Sequence, residues 1–286
     1  MLENLIAEKT RRKKNKLREF IQEAKQRNML TPNVVAAYAY VHLSNDNGIP
    51  LQPAAHHWLW LNLLCDTNIK KLLIIGPPES AKTTWAVSAY LGCKIGFYPE
   101  QSFILGSSSG PIASKRSLSL RTMTQSSEWQ ATFPNILRAN GMLWDSKEWS
   151  IAPDGQPTDG RLHPTVAAYG TGGSIIGSRA GEMLADDLLD FNNTRTQHQR
   201  DLVKEWFHNS FLSRRKSGIG RVIIIGTAWH PGDIYSITRR EQGWVVCHIP
   251  LLSETNEVRA TLTYPDNWPY PMLGEPIANA VLPTSQ

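Results

Sequence analysis

Short unbroken apolar runs recur along the chain: "KLLII" at 71–75, "SFIL" at 102–105, "EMLA" at 182–185 and "RVIII" at 221–225. Runs of this length are too brief for helices and read as strands buried on both faces. Between them lie segments with helical character, "TTWAVSAYLGCKIG", "IASKRSLSLRTMTQSSEW" and "RTQHQRDLVKEWFHNSFLSRRK". Strands that alternate with helices predict an α/β fold with a mainly parallel central sheet flanked by helices. The stretch "WSIAPDGQPTDGRLHPTVAAYGTGGSIIGSRAG" mixes short strands with Gly- and Pro-rich turns.

Ahead of the first strand the pattern is helical. Residues 1 to about 28 set Leu2, Leu5, Ile6, Leu17, Phe20 and Ile21 among dense charges. A second helix starts after Thr31-Pro32, a cap followed by a first-turn proline. The loop "SNDNGIPLQP" leads to a third, apolar helix, "AAHHWLWLNLLCD". Beyond residue 250 the chain turns irregular and proline-rich, with no strand pattern. The expected organisation is an N-terminal helical segment or lid over 1–60, an α/β core over 61–250 and a linker over 251–286.

Composition adds modest constraints. With 41% hydrophobic and 19% charged residues in 286, a packed core is expected. A net charge of +5 suits a polyanionic partner but is shared by many enzymes. Lys9, Arg11, Arg12, Lys13, Lys14, Lys16 and Arg18 concentrate it in the first helix, as a solvated face or as a contact for nucleic-acid phosphates. Cys65, Cys93 and Cys247 lie far apart, without metal or disulfide spacing, as in a reducing cytosol. No apolar run approaches the ~20 residues that span a bilayer, and the first twenty residues lack an apolar core followed by a cleavage site, so secretion is not expected.

The chemistry is expected where buried strands end, because open parallel sheets bind ligands beyond their carboxyl edge. "IIGPPESAKTT" nearly spells the phosphate-binding loop G-x-x-x-x-G-K-[ST]. Its backbone, Gly76, Pro77, Pro78, Glu79, Ser80, Ala81, Lys82, Thr83 and Thr84, would wrap the phosphates of ATP. Lys82 would bridge β- and γ-phosphates, and the Thr83 hydroxyl would bind Mg²⁺. Ala81 replaces the second glycine; since it leads into a helix, a negative φ is expected, which tolerates the methyl group. Glu79 is compatible with phosphates only if its side chain points outward. Asp186 reads as the second Mg²⁺ ligand and Asp187 as the group that orients the attacking water, or the pair reads as a helix N-cap. Asp190 has the weaker claim and suits a cap. Thr227, ending another buried run, is placed either to sense the γ-phosphate or simply to close a strand.

Taken in order, "IIGPPESAKTT", "FILGSSSGPIASKRSLSLRTM", "YGTGGSIIGSRAGEMLADDLLD" and "VIIIGTAWHPGDIY" resemble the ATPase domain of tailed-phage terminase large subunits, over about residues 50–250. The resemblance implies a P-loop NTPase of the additional-strand type, with the strand ending at Thr227 between those ending at Gly76 and Asp186. It implies an adenine clamp upstream of the loop, for which Gln52 is the candidate. It also implies an arginine finger acting on a neighbouring subunit, for which Arg179 matches best, the alternative being a surface salt bridge or loop anchor. The implied activity is Mg²⁺-dependent ATP hydrolysis that moves double-stranded DNA into a procapsid. A homo-oligomeric ring would work with portal protein and a small terminase subunit, in the host cell cytoplasm. The rivals are a helicase-like ATPase and a non-hydrolysing nucleotide- or DNA-binding assembly module. Candidate DNA contacts are the first helix and Arg214, Arg215, Lys216 and Arg221, the latter stretch reading first as a solvated loop. Past residue 250 only Glu254, Glu257, Asp266 and Glu275 are acidic, too few for the metal cluster of a terminase nuclease, so no nuclease activity is expected.

Overall fold

The computed structural model describes residues 2–175, 177–250 and 260–273, with side chains from residue 6 onward. In chain order come α1 (Leu2–Gln26), α2 (Pro32–His42), α3 (Ala55–Cys65) and β1 (Lys71–Ile75). A π-helical segment, Thr84–Leu91, then runs into α4 (Gly92–Phe97). Next are β2 (Phe103–Ser107), α5 (Gly110–Thr124), α6 (Ser127–Thr132), β3 (Ile136–Arg138), β4 (Glu148–Trp149), β5 (Ile151–Pro153) and β6 (Val166–Gly170). The last are β7 (Glu182–Asp186), α7 (Phe191–Thr194), α8 (Gln197–Glu205) with a π-helical continuation Trp206–Phe211, β8 (Arg221–Gly226), α9 (Ile234–Thr238), β9 (Val245–His248) and β10 (Thr261–Thr263).

Eight strands form one sheet in the order β10-β9-β1-β8-β7-β2-β6-β4. The pairings from β9 through β6 are parallel and only the two edges, β10 and β4, run antiparallel. The expected mainly parallel sheet flanked by helices is therefore observed. The strand ending at Thr227, β8, lies between β1 and β7.

Successive side chains of each strand enter opposite layers. Leu72, Ile74, Leu105, Leu184, Ile223 and Ile225 join Ile21, Val34, Tyr38, Trp60, Trp85 and Leu91 on one face. Leu73, Ile75, Ile104, Met183, Val222 and Ile224 join Val203, Trp206, Phe207, Phe211 and Tyr235 on the other. Burial on both faces is why these strands are continuous apolar runs rather than alternating ones.

Ile21 of α1, Val34 and Tyr38 of α2 and Trp60 of α3 share one apolar layer with the sheet. Two expectations need correction. The region past 250 does contribute a strand, since Thr261–Thr263 pairs with Val246–His248; Glu254, Glu257 and Glu275 lie outside the described residues. Arg221 is 5% exposed and bonds the carbonyls of Leu63, Leu64 and Ile69, so it caps α3 and is not available to DNA. Its neighbour Glu182, 1% exposed, accepts Lys94 Nζ at 2.7 Å and the Tyr90 hydroxyl at 3.0 Å.

Candidate functional site

The carboxyl ends of β1, β8 and β7 lie side by side, and each releases a polar segment there. From β1 comes the loop Gly76–Thr83. Its first amide is tied across the sheet, Gly76 N to Gly226 O at 3.0 Å. Inside the loop one carbonyl gathers two donors: Pro77 O accepts Ser80 Oγ at 2.7 Å and Lys82 Nζ at 2.5 Å. Lys82 is buried, which lowers its pKa, while the charges of Asp187 and Asp186 act to raise it. Lys82, Thr83 and Thr84 open the helix, and the amides of a helix's first turn have no acceptor within it. Such a first turn is a donor-rich, positively polarised end.

The reading of Ala81 is overturned. Its φ is +57°, in the left-handed region, and Glu79 sits at +60°. The helix begins only at Lys82, so Ala81 still belongs to the turn, where glycine is the unstrained residue. Both Glu79 and Ala81 are exposed, and the Glu79 side chain is accordingly not buried in the loop.

At the end of β7, Asp186 is fully buried and Asp187 half-buried. Asp187 also has positive φ, +47°, and its amide bonds Ile225 O at 2.9 Å. The sharp turn gives the adjacent carboxylates different surroundings. Burial pushes the Asp186 carboxyl up to about 6; Arg116 opposes that, Asp187 adds to it, and Thr83 and Lys82 favour the ionised form. Asp190 caps α7, accepting the amides of Asn192 and Asn193. Thr227, half-buried, donates to Gly76 O at 3.2 Å, joining the third strand end to the start of the loop.

The segment after Thr227 owes its shape to Asp233. One carboxylate oxygen accepts the amides of Trp229 and His230 at 2.8 and 3.0 Å, and the other accepts Ser236 N at 2.8 Å. Asp233 thus caps α9 and folds the preceding loop at once. Tyr235 on α9 accepts the Leu188 amide at 2.7 Å, which fastens the turn after Asp187 to the same helix.

Two further predicted residues lie elsewhere. Gln52 is exposed and lines a groove of about 570 Å³ with Arg11, Lys14, Arg18 and Tyr40. His57, from the same stretch, bonds the loop. Its Nδ1 accepts the Ala54 amide at 3.0 Å, so Nε2 carries the proton and donates to Ser80 O at 3.1 Å. Its ring stacks on Trp85 at 4.8 Å. Arg179 is exposed and precedes β7, roughly 20 Å along extended chain from its own Asp186.

Arg116, seen in the sequence only as one basic residue of α5, is inside the site. Nη1 lies 3.0 Å from Asp186 Oδ2 and Nη2 lies 3.9 Å from Asp187 Oδ2. Nη1 also donates to Ser107 Oγ and to the Asp186 carbonyl.

The donor set fits a magnesium-bound triphosphate: the helix amides and Lys82 for phosphate oxygens, and the Thr83 hydroxyl and buried Asp186 carboxylate for a hard cation. The chain matches no protein-family model and no curated protein. No helix among the described residues is long and apolar enough to cross a membrane.

Proposed function

We propose that this chain is an ATP-hydrolysing motor domain of the P-loop, additional-strand type that moves double-stranded DNA. The observation that carries the reading is the meeting of three adjacent strand ends, which gathers Lys82, Thr83, Asp186, Asp187 and Thr227. The placement of β8 between β1 and β7 supports the additional-strand assignment.

In this reading Lys82 leaves Pro77 O for the β- and γ-phosphates, and the amides of Ala81 to Thr84 bind phosphate oxygens. Thr83 and Asp186 would hold Mg²⁺, which offsets the charge that develops on the transferred phosphoryl group. Asp187, held by its left-handed turn, orients the attacking water. Thr227, bonded to the first residue of the loop, senses the change there and passes it to the Asp233-folded loop and α9. Arg179, exposed and far from its own Asp186, serves only a neighbouring copy, where an arginine finger is worth about 10³–10⁵ in rate.

The terminase-like motif order extends the proposal to genome packaging, with portal protein and a small terminase subunit as partners. DNA contact would be to phosphates through α1 and Arg214, Arg215 and Lys216. Within α1, Arg11 and Arg12 pair with Glu8, and Lys14 and Arg18 approach Glu128, while Lys9 and Lys16 are exposed.

The test is steady-state ATP hydrolysis by wild type and Lys82→Ala, with and without double-stranded DNA. Turnover that DNA stimulates, that Lys82→Ala abolishes and that separates no strands is expected. Equal rates for the two proteins would favour a binding module, and strand separation would favour a helicase.

A further inference from the structure

Asp186 is fully buried, and Arg116 is the one cationic side chain within 4 Å of its carboxylate among the described residues. A buried carboxylate without a partner is costly, so removing Arg116 would leave Asp186 uncompensated at the end of β7. The guanidinium does more than pair with one acid. Its fork reaches Asp186 Oδ2 at 3.0 Å and Asp187 Oδ2 at 3.9 Å, and it also bonds Ser107 Oγ at the end of β2 and the Asp186 carbonyl. Arg116 thereby spans both carboxylates that the proposed reaction uses. A divalent cation held by Asp186 would lie against the same carboxylate, where low dielectric strengthens repulsion between the two cations.

We propose that Arg116 is a positioning residue that fixes Asp186 and Asp187 and exchanges with a divalent cation on Asp186. The inference rests on the nucleotide-site reading above. When the cation takes Asp186, the guanidinium gives up Oδ2, and its donors turn to a phosphate oxygen, which they match as a fork.

Mn²⁺ titration followed by electron paramagnetic resonance, without nucleotide, tests the exchange directly. Arg116→Gln removes the competing charge and should bind Mn²⁺ at least about tenfold more tightly than wild type, equivalent to ~1.4 kcal/mol. Arg116→Lys keeps a charge but cannot span both carboxylates, so its affinity should fall between the two. Adding Asp186→Asn to Arg116→Gln should remove the gain. Affinities of Arg116→Gln and Arg116→Lys no tighter than wild type would overturn the proposal. If Arg116→Gln fails to fold, Arg116→Lys decides alone, by the same comparison with wild type. A separate control isolates the underlying reading: the thermal midpoint of wild type should rise with a magnesium ATP analogue and that of Lys82→Ala should not. A protein that passes this control, yet whose Mn²⁺ affinity ignores Arg116, refutes the exchange and leaves the nucleotide site standing.

Discussion

Replacing Ala81 with glycine should stabilise the protein, against the usual direction for a glycine substitution. At φ +57° the alanine methyl crowds the following carbonyl, a strain of about 1–2 kcal/mol. Glycine escapes it but gives the unfolded chain more freedom, which costs about 0.4–1 kcal/mol. Because Ala81 is exposed, losing the methyl removes little packing. The balance is a gain of about 0–1.6 kcal/mol, centred near ~0.8 kcal/mol, or roughly 1–3 °C in midpoint for a chain of this size. Urea unfolding measures it as a higher midpoint at unchanged slope. Ala81→Val should move the other way by more than ~1 kcal/mol, since a β-branched residue is a true outlier at positive φ. Glu79→Gly, at φ +60°, should repeat the gain. A loss above ~0.5 kcal/mol in Ala81→Gly, with Ala81→Val unchanged, would show that position 81 is not left-handed and refute the reasoning.

Other expectations concern the frame of the site. His57 and His42 are both held down to about 3, chiefly by burial, with the neighbouring charges of His56 on the first and of Arg18 and Lys14 on the second acting the same way. Between their ordinary value near 6.5 and about 3 the unfolded chain takes up protons that the folded one refuses, so their stabilisation is complete above 6.5 and lost as pH falls through that window. His57→Gln should flatten the fall in unfolding free energy between about pH 6.5 and 4, and an identical slope would exclude His57 from it. Gly170→Ala should cost at least ~1–3 kcal/mol in chemical denaturation, because a Cβ there falls within the backbone of Ser109 and Gly110 at the start of α5. Tyr235→Phe leaves the buried Leu188 amide without an acceptor and should cost ~1–3 kcal/mol, with faster hydrogen exchange at that amide as the specific readout. Asp187→Asn should retain binding of a magnesium ATP analogue by calorimetry yet hydrolyse ATP slowly; unchanged turnover would remove its water-orienting role.

The strands that carry the site were readable because burial on both faces makes them unbroken apolar runs, as in "KLLII" and "RVIII". The edges were not. β10 reads Thr-Leu-Thr with partly exposed positions, and three polar-flanked residues look like loop until β9 is beside them. Type and spacing singled out the loop after β1, but φ at Ala81 is set by where the helix starts, one residue later than its placement suggested. Arg116 was indistinguishable from Lys115 and Arg121, its basic neighbours in α5; only the phase of that helix against β2 and β7 selects it. His57 was hidden for a similar reason, since its contact with Ser80 spans 23 residues. A trace of its role existed in the paired histidines ahead of an apolar helix. The aspartate at the end of "TAWHPGD" was visible as part of a motif, and its hydrogen bonds now supply the physical reason: a single carboxylate serves three amides.

Glu182, Lys94 and Arg221 arrive at their meeting point from a helix and two strands, with Glu182 88 residues after Lys94. A half-assembled sheet that had seated β7 without α4 or β8 would strand a carboxylate in a dry interior, a penalty of several kcal/mol. The stability of β7 in its place therefore depends on α4 and β8 being in theirs. The cluster thus ties the energy of seating the middle strand to the seating of its neighbours.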